Sequence, residues 1–560
     1  MSRSRGGQTA RRRVAVALVA VAALALLVRL WSLGWRVAHQ DEGRVAHWIL
    51  YYMESGSWQY RPIIHGPFLP HVNGVVFDLF GATDFTMRLV VAVVGSLLVV
   101  TPWLYREHLS NAELVATSLF FAGNPILLYY SRFMRNDLLL AAFMFTAFGL
   151  FVRAIDTGKA RYIYAGALPF ALAFTTKENA LLYPVCWLGA LALVFDGRML
   201  LASASDETTR YGVVRGYVGR IARAAWRYKL HLGAALAEAA AVVVAFYAPK
   251  PDLYEALSEP ALLPGVLREA TLGSWGEFMD LWGSTGMQQH SYIEFLKHDL
   301  TVLSIGALAL VAFALVGFLH ERYAADRPRA VVGVCFFWGA FSVFGYPAVA
   351  DISSAWTAIN AIVPLAVPAG VGVGLVFERG RAAVATGNAP AARAVAVILI
   401  VSAAGTGAVA AQTTYVNAQG PNNPLVQYAQ PSGQMQSTLG DVREVSASND
   451  GVDVMFYGSE FHTPDDLTTE QSLNLTHGGY QGWFDRLPLP WYLERYDSNV
   501  SSTLTTTTID EHEPPVVIML EEDEDNLDID LTERGYTRTV HEGYQHSRPL
   551  VFYVRANATN

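Results

Sequence analysis

Long apolar stretches separated by short polar breaks fill the first three quarters of the chain and then stop. Runs long enough to cross a bilayer, or nearly so, fall at roughly 14–33, 89–105, 112–130, 138–154, 161–176, 179–195, 231–248, 301–319, 330–347, 357–377 and 394–411. They predict a polytopic α-helical membrane protein with about 11 transmembrane helices. A basic stretch, residues 1–13, precedes the first run, which lacks a small-residue cleavage site and reads as an uncleaved span. Two polar intervals are long, at 35–88 and 249–300. In the second, residues 267–282 carry Trp275, Phe278, Met279 and Trp282 on one face and predict an interfacial helix.

After the membrane part, 14–411, comes a Gln/Asn/Pro/Gly-rich linker at 412–435 and then a tail at 436–560 with a different pattern. Residues 452–457, 515–520 and 550–555 predict buried strands, 489–496 and 525–534 helices, and 505–508 an exposed strand or loop. The tail is therefore expected to be a small α/β domain. Charge follows the same division. Residues 1–411 carry 33 Lys and Arg against 26 Asp and Glu, and residues 412–560 carry 7 against 23. Only five basic residues are Lys, none of them in the tail, which suits a surface that stays hydrated in concentrated salt and points to a halophilic source. Cys186 and Cys335 both lie in apolar runs and read as packed thiols.

With a cytoplasmic N-terminus, 22 Lys and Arg fall in the inner segments and 10 in the outer loops. The positive-inside rule is then satisfied and an odd helix number puts the acidic tail outside. Acceptor sequons at Asn474, Asn499 and Asn557, all in the tail, agree with that side. The expected location is the plasma membrane. No ATPase-type glycine loop occurs, which disfavours ATP-driven transport by this chain alone, and nothing points to nucleic acid.

The informative residues are polar groups at outward helix ends. Gln40-Asp41-Glu42-Gly43 follows the first span, and a loop with Glu54, Trp58, Tyr60, Arg61, His65-Gly66-Pro67 and His71 comes next. Two further clusters, Ser131-Arg132-Phe133-Met134-Arg135-Asn136-Asp137 and Thr175-Thr176-Lys177-Glu178-Asn179, are expected on the same side. A solvated helix end explains a lone acid pair, and headgroup snorkelling explains lone basic residues. Acids and bases gathered at one surface fit a phosphate-bearing lipid held beside a catalytic base better. Asp41 and Glu42 could also hold Mg or Mn through hard oxygen ligands; no other cofactor is implied.

The ordered series Asp41-Glu42-Gly43, Met53-Glu54-Ser55-Gly56-Ser57-Trp58, His65-Gly66-Pro67-Phe68-Leu69, Arg88-Leu89, Ser131-Arg132 with Asp137, and Ala173-Phe174-Thr175-Thr176-Lys177-Glu178 resembles a known family. It is similar to the dolichyl-phosphate-mannose-protein mannosyltransferase-like membrane glycosyltransferases of GT-C fold. More narrowly, it resembles the archaeal flippase activity-associated membrane proteins. The resemblance covers about residues 30–195, with compatible topology to 411. It implies transfer of a sugar from a polyprenyl (dolichyl) phosphate donor to a glycan or protein acceptor at the outer face. It makes Asp41 the general base, Glu42 its partner, and Arg132, Arg135 and Lys177 the phosphate binders, with His65, Asp137 and Glu178 as further substrate contacts. Where bacterial relatives often carry Lys-Pro-Pro, this chain has His65-Gly66-Pro67, a departure that bears on sugar or carrier handling. The narrower resemblance implies an alternative, a non-enzymatic factor assisting translocation of dolichyl-phosphate-linked sugars. A structural envelope anchor is a third reading, but it leaves the outer acids and bases without a role.

Overall fold

The computed structural model describes residues 2–204, 210–282, 290–350, 352–463, 482–544 and 548–555. The chain divides into two compact units. One comprises Met1–Trp31, Trp58–Leu69 and Leu89–Val416; the other comprises Ser32–Ser57, Pro70–Arg88 and Asn417–Asn560. Most of the first long loop thus belongs with the tail.

The first unit is helical. Eight helices among the described residues are long and apolar enough to cross a membrane, from Thr9–Leu30 to Ala389–Val416. A ninth span results if Tyr292–Gly306 and Leu308–Tyr323, bent by 95° at their junction, are taken together. Each of the eleven apolar runs is helical, but the run at 301–319 straddles that bend and two others are shorter than the sequence suggests. The run at 112–130 is split into Asn111–Gly123 and Pro125–Tyr130, because Asn124 leaves the helical region and caps the next segment, accepting from the Ile126 and Leu127 amides. The run at 161–176 yields only Arg161–Phe174. Ala355–Ala385 is the most buried span and forms the unit's centre. Small residues let neighbours approach it: a Cβ on Gly370 would collide with the Thr117 hydroxyl, and one on Gly372 with the Phe313 carbonyl. In the 267–282 region, Leu272, Trp275 and Met279 are exposed along the helical path. Cys186 and Cys335 are free thiols.

In the second unit, five strands form one mixed sheet in the order β2-β1-β3-β5-β4: β1 Val454–Tyr457, β2 Val500–Thr503, β3 Val516–Leu520, β4 Tyr536–Tyr544 and β5 Arg548–Arg555. β1 runs parallel to β2 and β3, and β5 pairs antiparallel with β3 and β4. One face packs Met455, Tyr457, Val517, Met519, Val551 and Tyr553 over Ile509 and Leu531. Two tail expectations need correction. Residues 505–508 lead into the helix Thr506–His512, and 525–534 end a short 3-10 segment and continue as turns, while a helix not foreseen, Met435–Ser446, opens the domain where the linker ends. Leu527, Ile529 and Leu531 recur every second residue and all pack on the sheet, a spacing no α-helix presents on one side. Asn499 is exposed at the start of β2; Asn474 and Asn557 lie outside the described residues.

Candidate active site

In the tail-bearing unit the site residues sit at the start of one helix, α1 (Gln40–Ser55). His39 caps it: its Nδ1 accepts from the Asp41 amide at 3.1 Å, while the Glu42 carboxylate accepts from the His39 amide at 3.0 Å. With Nδ1 accepting, the ring proton is on Nε2, which donates to the Tyr428 carbonyl at 2.6 Å. Two acids in the first turn also suit the positive end of the helix dipole.

Adjacent acids face opposite surroundings. Glu42 is fully buried. Arg36 donates to Oε2 at 2.9 Å and Oε1 at 3.1 Å, and Arg88 donates through Nε and Nη2, each at 2.9 Å. Burial opposes the charge on Glu42, but the two guanidiniums outweigh it and hold its carboxyl well below the usual range. Asp41 is 19% exposed and accepts from Arg44, one turn on, at 2.8 Å. Gly43 has its own reason: a Cβ there would stand 2.6 Å from Pro488 Cβ, so only glycine lets the helix lie against that turn. Asp41-Glu42-Gly43 is thus an accessible acid, a buried anchor and a close approach.

The other unit collects a second set of charges. Lys177 donates to Asp137 Oδ1 at 3.0 Å, and Arg135 Nε lies 3.4 Å from Oδ2 of the same carboxylate. The Arg135 guanidinium also stacks over Trp356, 3.8 Å from the ring centroid. Beside Lys177, Glu178 accepts from the Tyr60 hydroxyl at 2.7 Å and from His65 Nδ1 at 3.1 Å. Burial, and then the Glu178 carboxylate, push Tyr60 well above the usual phenol range, so it stays a donor. The His65-Gly66-Pro67 turn is tied down by its backbone. Gly66 and Phe68 amides donate to the Thr176 and Thr175 carbonyls at 3.0 and 2.8 Å, and a Cβ on Gly66 would strike Thr175. His65 itself holds φ +64°, a strained region for a residue with a side chain.

Five of the expected substrate residues, His65, Arg135, Asp137, Lys177 and Glu178, therefore fall in one linked pair of clusters. Arg132 does something else. Its Nη1 donates to the Arg29 and Trp31 carbonyls at 2.7 and 2.5 Å, and it stacks over Tyr415, clamping the end of the first span. His71 packs edge-on against Tyr52. As arranged, the Asp41–Glu42 pair does not suit a divalent ion, because every Glu42 contact above is a donor already in place. No group of three or more His, Cys, Asp or Glu able to hold a metal occurs among the described residues. Sequence reasoning did not assign Arg36, Arg44 or Tyr60 to the site. Arg44, one helical turn from Asp41, and Tyr60, among the loop's polar residues, were findable; Arg36 carried no signal beyond its charge.

Residues 435–555 match the family model of the Agl23 flippase-associated protein C-terminal domain, and residues 64–206 match that of dolichyl-phosphate-mannose-protein mannosyltransferase. Over almost its whole length the chain superposes on ArnT from Cupriavidus metallidurans in the apo state, with TM-score 0.56 at 15% identity, covering 95% of this chain and 97% of that one. The fold is that of a GT-C membrane glycosyltransferase. The same ArnT bound to undecaprenyl phosphate gives TM-score 0.54 at 16% identity, covering 96% and 98%. The oligosaccharyltransferase of Archaeoglobus fulgidus, tethered to an acceptor peptide, gives TM-score 0.47 at 14% identity, covering 90% of this chain and 69% of that one. No curated protein sequence matches this one.

Proposed function

We propose that this chain is a hexosyltransferase that moves a sugar from a polyprenyl phosphate, dolichyl phosphate or a close analogue, to a glycan or protein acceptor at the outer face of the plasma membrane. The observation that carries the proposal is the Lys177–Asp137–Arg135 cluster, with Asp137 and Arg135 buried and Lys177 partly so, at the ends of membrane helices of a GT-C fold. In this reading the acceptor hydroxyl oxygen bonds to the anomeric carbon as the bond from that carbon to the phosphate oxygen breaks. The carrier phosphate leaves with the bonding pair, and the acceptor's proton passes to Asp41. Lys177 and Arg135 stabilise the charge gathering on the leaving phosphate. Tyr60, His65 and Glu178 offer hydrogen bonds to substrate, and Glu42 positions Asp41 rather than touching substrate. No step runs through a divalent cation.

Charge removal tests the donor assignment. Lys177→Gln should weaken binding of dolichyl phosphate to the purified chain by roughly 10–100-fold, the range for a charge-assisted hydrogen bond. Equal affinity in the variant would take Lys177 out of the phosphate site. We further propose a cytoplasmic N-terminus and an external tail, supported by the excess of Lys and Arg in alternate loops. Protease added to intact cells should then remove the acidic tail, and a protected tail would reverse the orientation.

A second reading has its own support in the match of residues 435–555 to a flippase-associated domain. A translocation factor would handle the same lipid-linked sugar without forming a glycosidic bond, and would tolerate Asp41→Asn better than loss of a phosphate-binding residue.

A further inference from the structure

Two tripeptides of the membrane unit have the same make-up. Arg135-Asn136-Asp137 and Lys177-Glu178-Asn179 each hold one cation, one acid and one amide. Each opens a membrane span, Asn136–Thr157 and Glu178–Gly197, from a cation in extended backbone with no side-chain cap. Asp137 links them through Lys177, and the acids and cations satisfy one another. The amides are left over. Among the described residues, Asn136 Oδ1 and Asn179 Oδ1 are buried acceptors without a donor, and Asn136 is only 5% exposed. Such an acceptor carries a desolvation cost that native proteins rarely leave standing.

The amide of Asn179 is also held in place. Its Nδ2 donates to the Tyr346 hydroxyl at 3.2 Å. Tyr346 and Tyr183 hydrogen-bond each other, Tyr183 donates to Asn360 Oδ1, and Asn360 Nδ2 donates to the Thr357 carbonyl at 3.1 Å. A chain of buried polar groups thus fixes the orientation of a carbonyl oxygen that has nothing to accept from. Fixed, unsatisfied polar groups of this kind read a ligand.

We propose that Asn136 and Asn179 recognise hydroxyl groups of the donor's sugar. The inference rests on the polyprenyl-phosphate-sugar reading above. A donor of that class has three parts. The prenyl chain has no hydrogen to donate, and an ionised phosphate diester has only acceptors, so neither can satisfy a carbonyl oxygen. Sugar hydroxyls can. Each amide lies within two residues of a cation assigned to the phosphate, which is where the first sugar ring of a glycosyl phosphate must lie.

Binding of dolichyl phosphate, dolichyl phosphomannose and dolichyl phosphoglucose to the purified full chain tests this without any turnover. Wild type should bind at least one sugar-bearing lipid on the order of tenfold more tightly than bare dolichyl phosphate. Asn136→Leu and Asn179→Leu should erase that margin while leaving affinity for the bare lipid phosphate within about twofold. A purely structural role would weaken all three lipids alike. If a leucine variant does not fold, the alanine variant takes its place in the same comparison. Variants that keep the full margin, or a wild type that binds dolichyl phosphate with no margin for either sugar, overturn the amide assignment and leave the donor reading standing. A wild type that binds none of the three lipids overturns both.

Discussion

Asp41→Asn will lower sugar transfer by roughly 10²–10⁴-fold, the typical contribution of a general base, with the chain still folded. Asparagine keeps the shape of the side chain and can still accept from Arg44, now at 2.8 Å from Oδ1. What it loses is the charge that takes a proton from the acceptor hydroxyl. Asp41 is partly exposed and its ion pair with Arg44 lies within the first turn of α1, where such pairs contribute little to stability. If Asp41 served only the helix end, asparagine would substitute nearly as well. Matched melting curves with transfer rates for wild type and variant separate the two. Equal rates would leave Asp41 a helix-end residue.

Glu42→Gln should act the other way, on folding before chemistry. Glu42 accepts from both Arg36 and Arg88, and all three side chains are buried. Removing one partner of a buried pair typically costs about 3–5 kcal/mol, because the remaining charge is left in a low-dielectric interior. The tail-bearing unit should become protease-sensitive in the variant at temperatures where wild type resists. The same network predicts acid lability. A carboxylate held below its usual range adds stability that is fully present above the unfolded value of about 4.3 and is lost as pH falls below it. Wild-type resistance to proteolysis should therefore decline below roughly pH 4, and the Glu42→Gln variant should lack that part of the decline. A variant as stable as wild type at neutral pH would contradict the anchoring role.

The apolar runs were legible because a membrane span advertises itself by length. Breaks were less so: the split at Asn124-Pro125 and the 95° bend near Gly306 depend on local backbone geometry within stretches that stay apolar. In the tail, the three central strands of the sheet, β1, β3 and β5, carry apolar residues on both faces and could be read. The two edge strands could not. β2 is Val-Ser-Ser-Thr and β4 mixes Thr, Arg, His and Glu, as edges facing water do. At the site, charge type and outward position pointed to Lys177 and Asp137 separately, but their pairing across 40 residues came only from the fold. The sequence could not say which of Asp41 and Glu42 faces inward, because neighbours on a helix point about 100° apart and the deciding partners, Arg36 and Arg88, are defined only by the fold. Nor could it reveal that Arg132 donates to the backbone carbonyls that end the first span.

The most direct measurement is transfer itself. The purified full chain, in detergent or liposomes, is given dolichyl phosphomannose or dolichyl phosphoglucose with lipid-linked and peptide-linked glycan acceptors, with and without a divalent-metal chelator, and products are read by mass spectrometry. The account predicts a hexose added to acceptor, with dolichyl phosphate released in equal amount. No transfer from any of these donors, while cells lacking the protein still fail to display the sugar outside, would contradict it and favour the translocation reading.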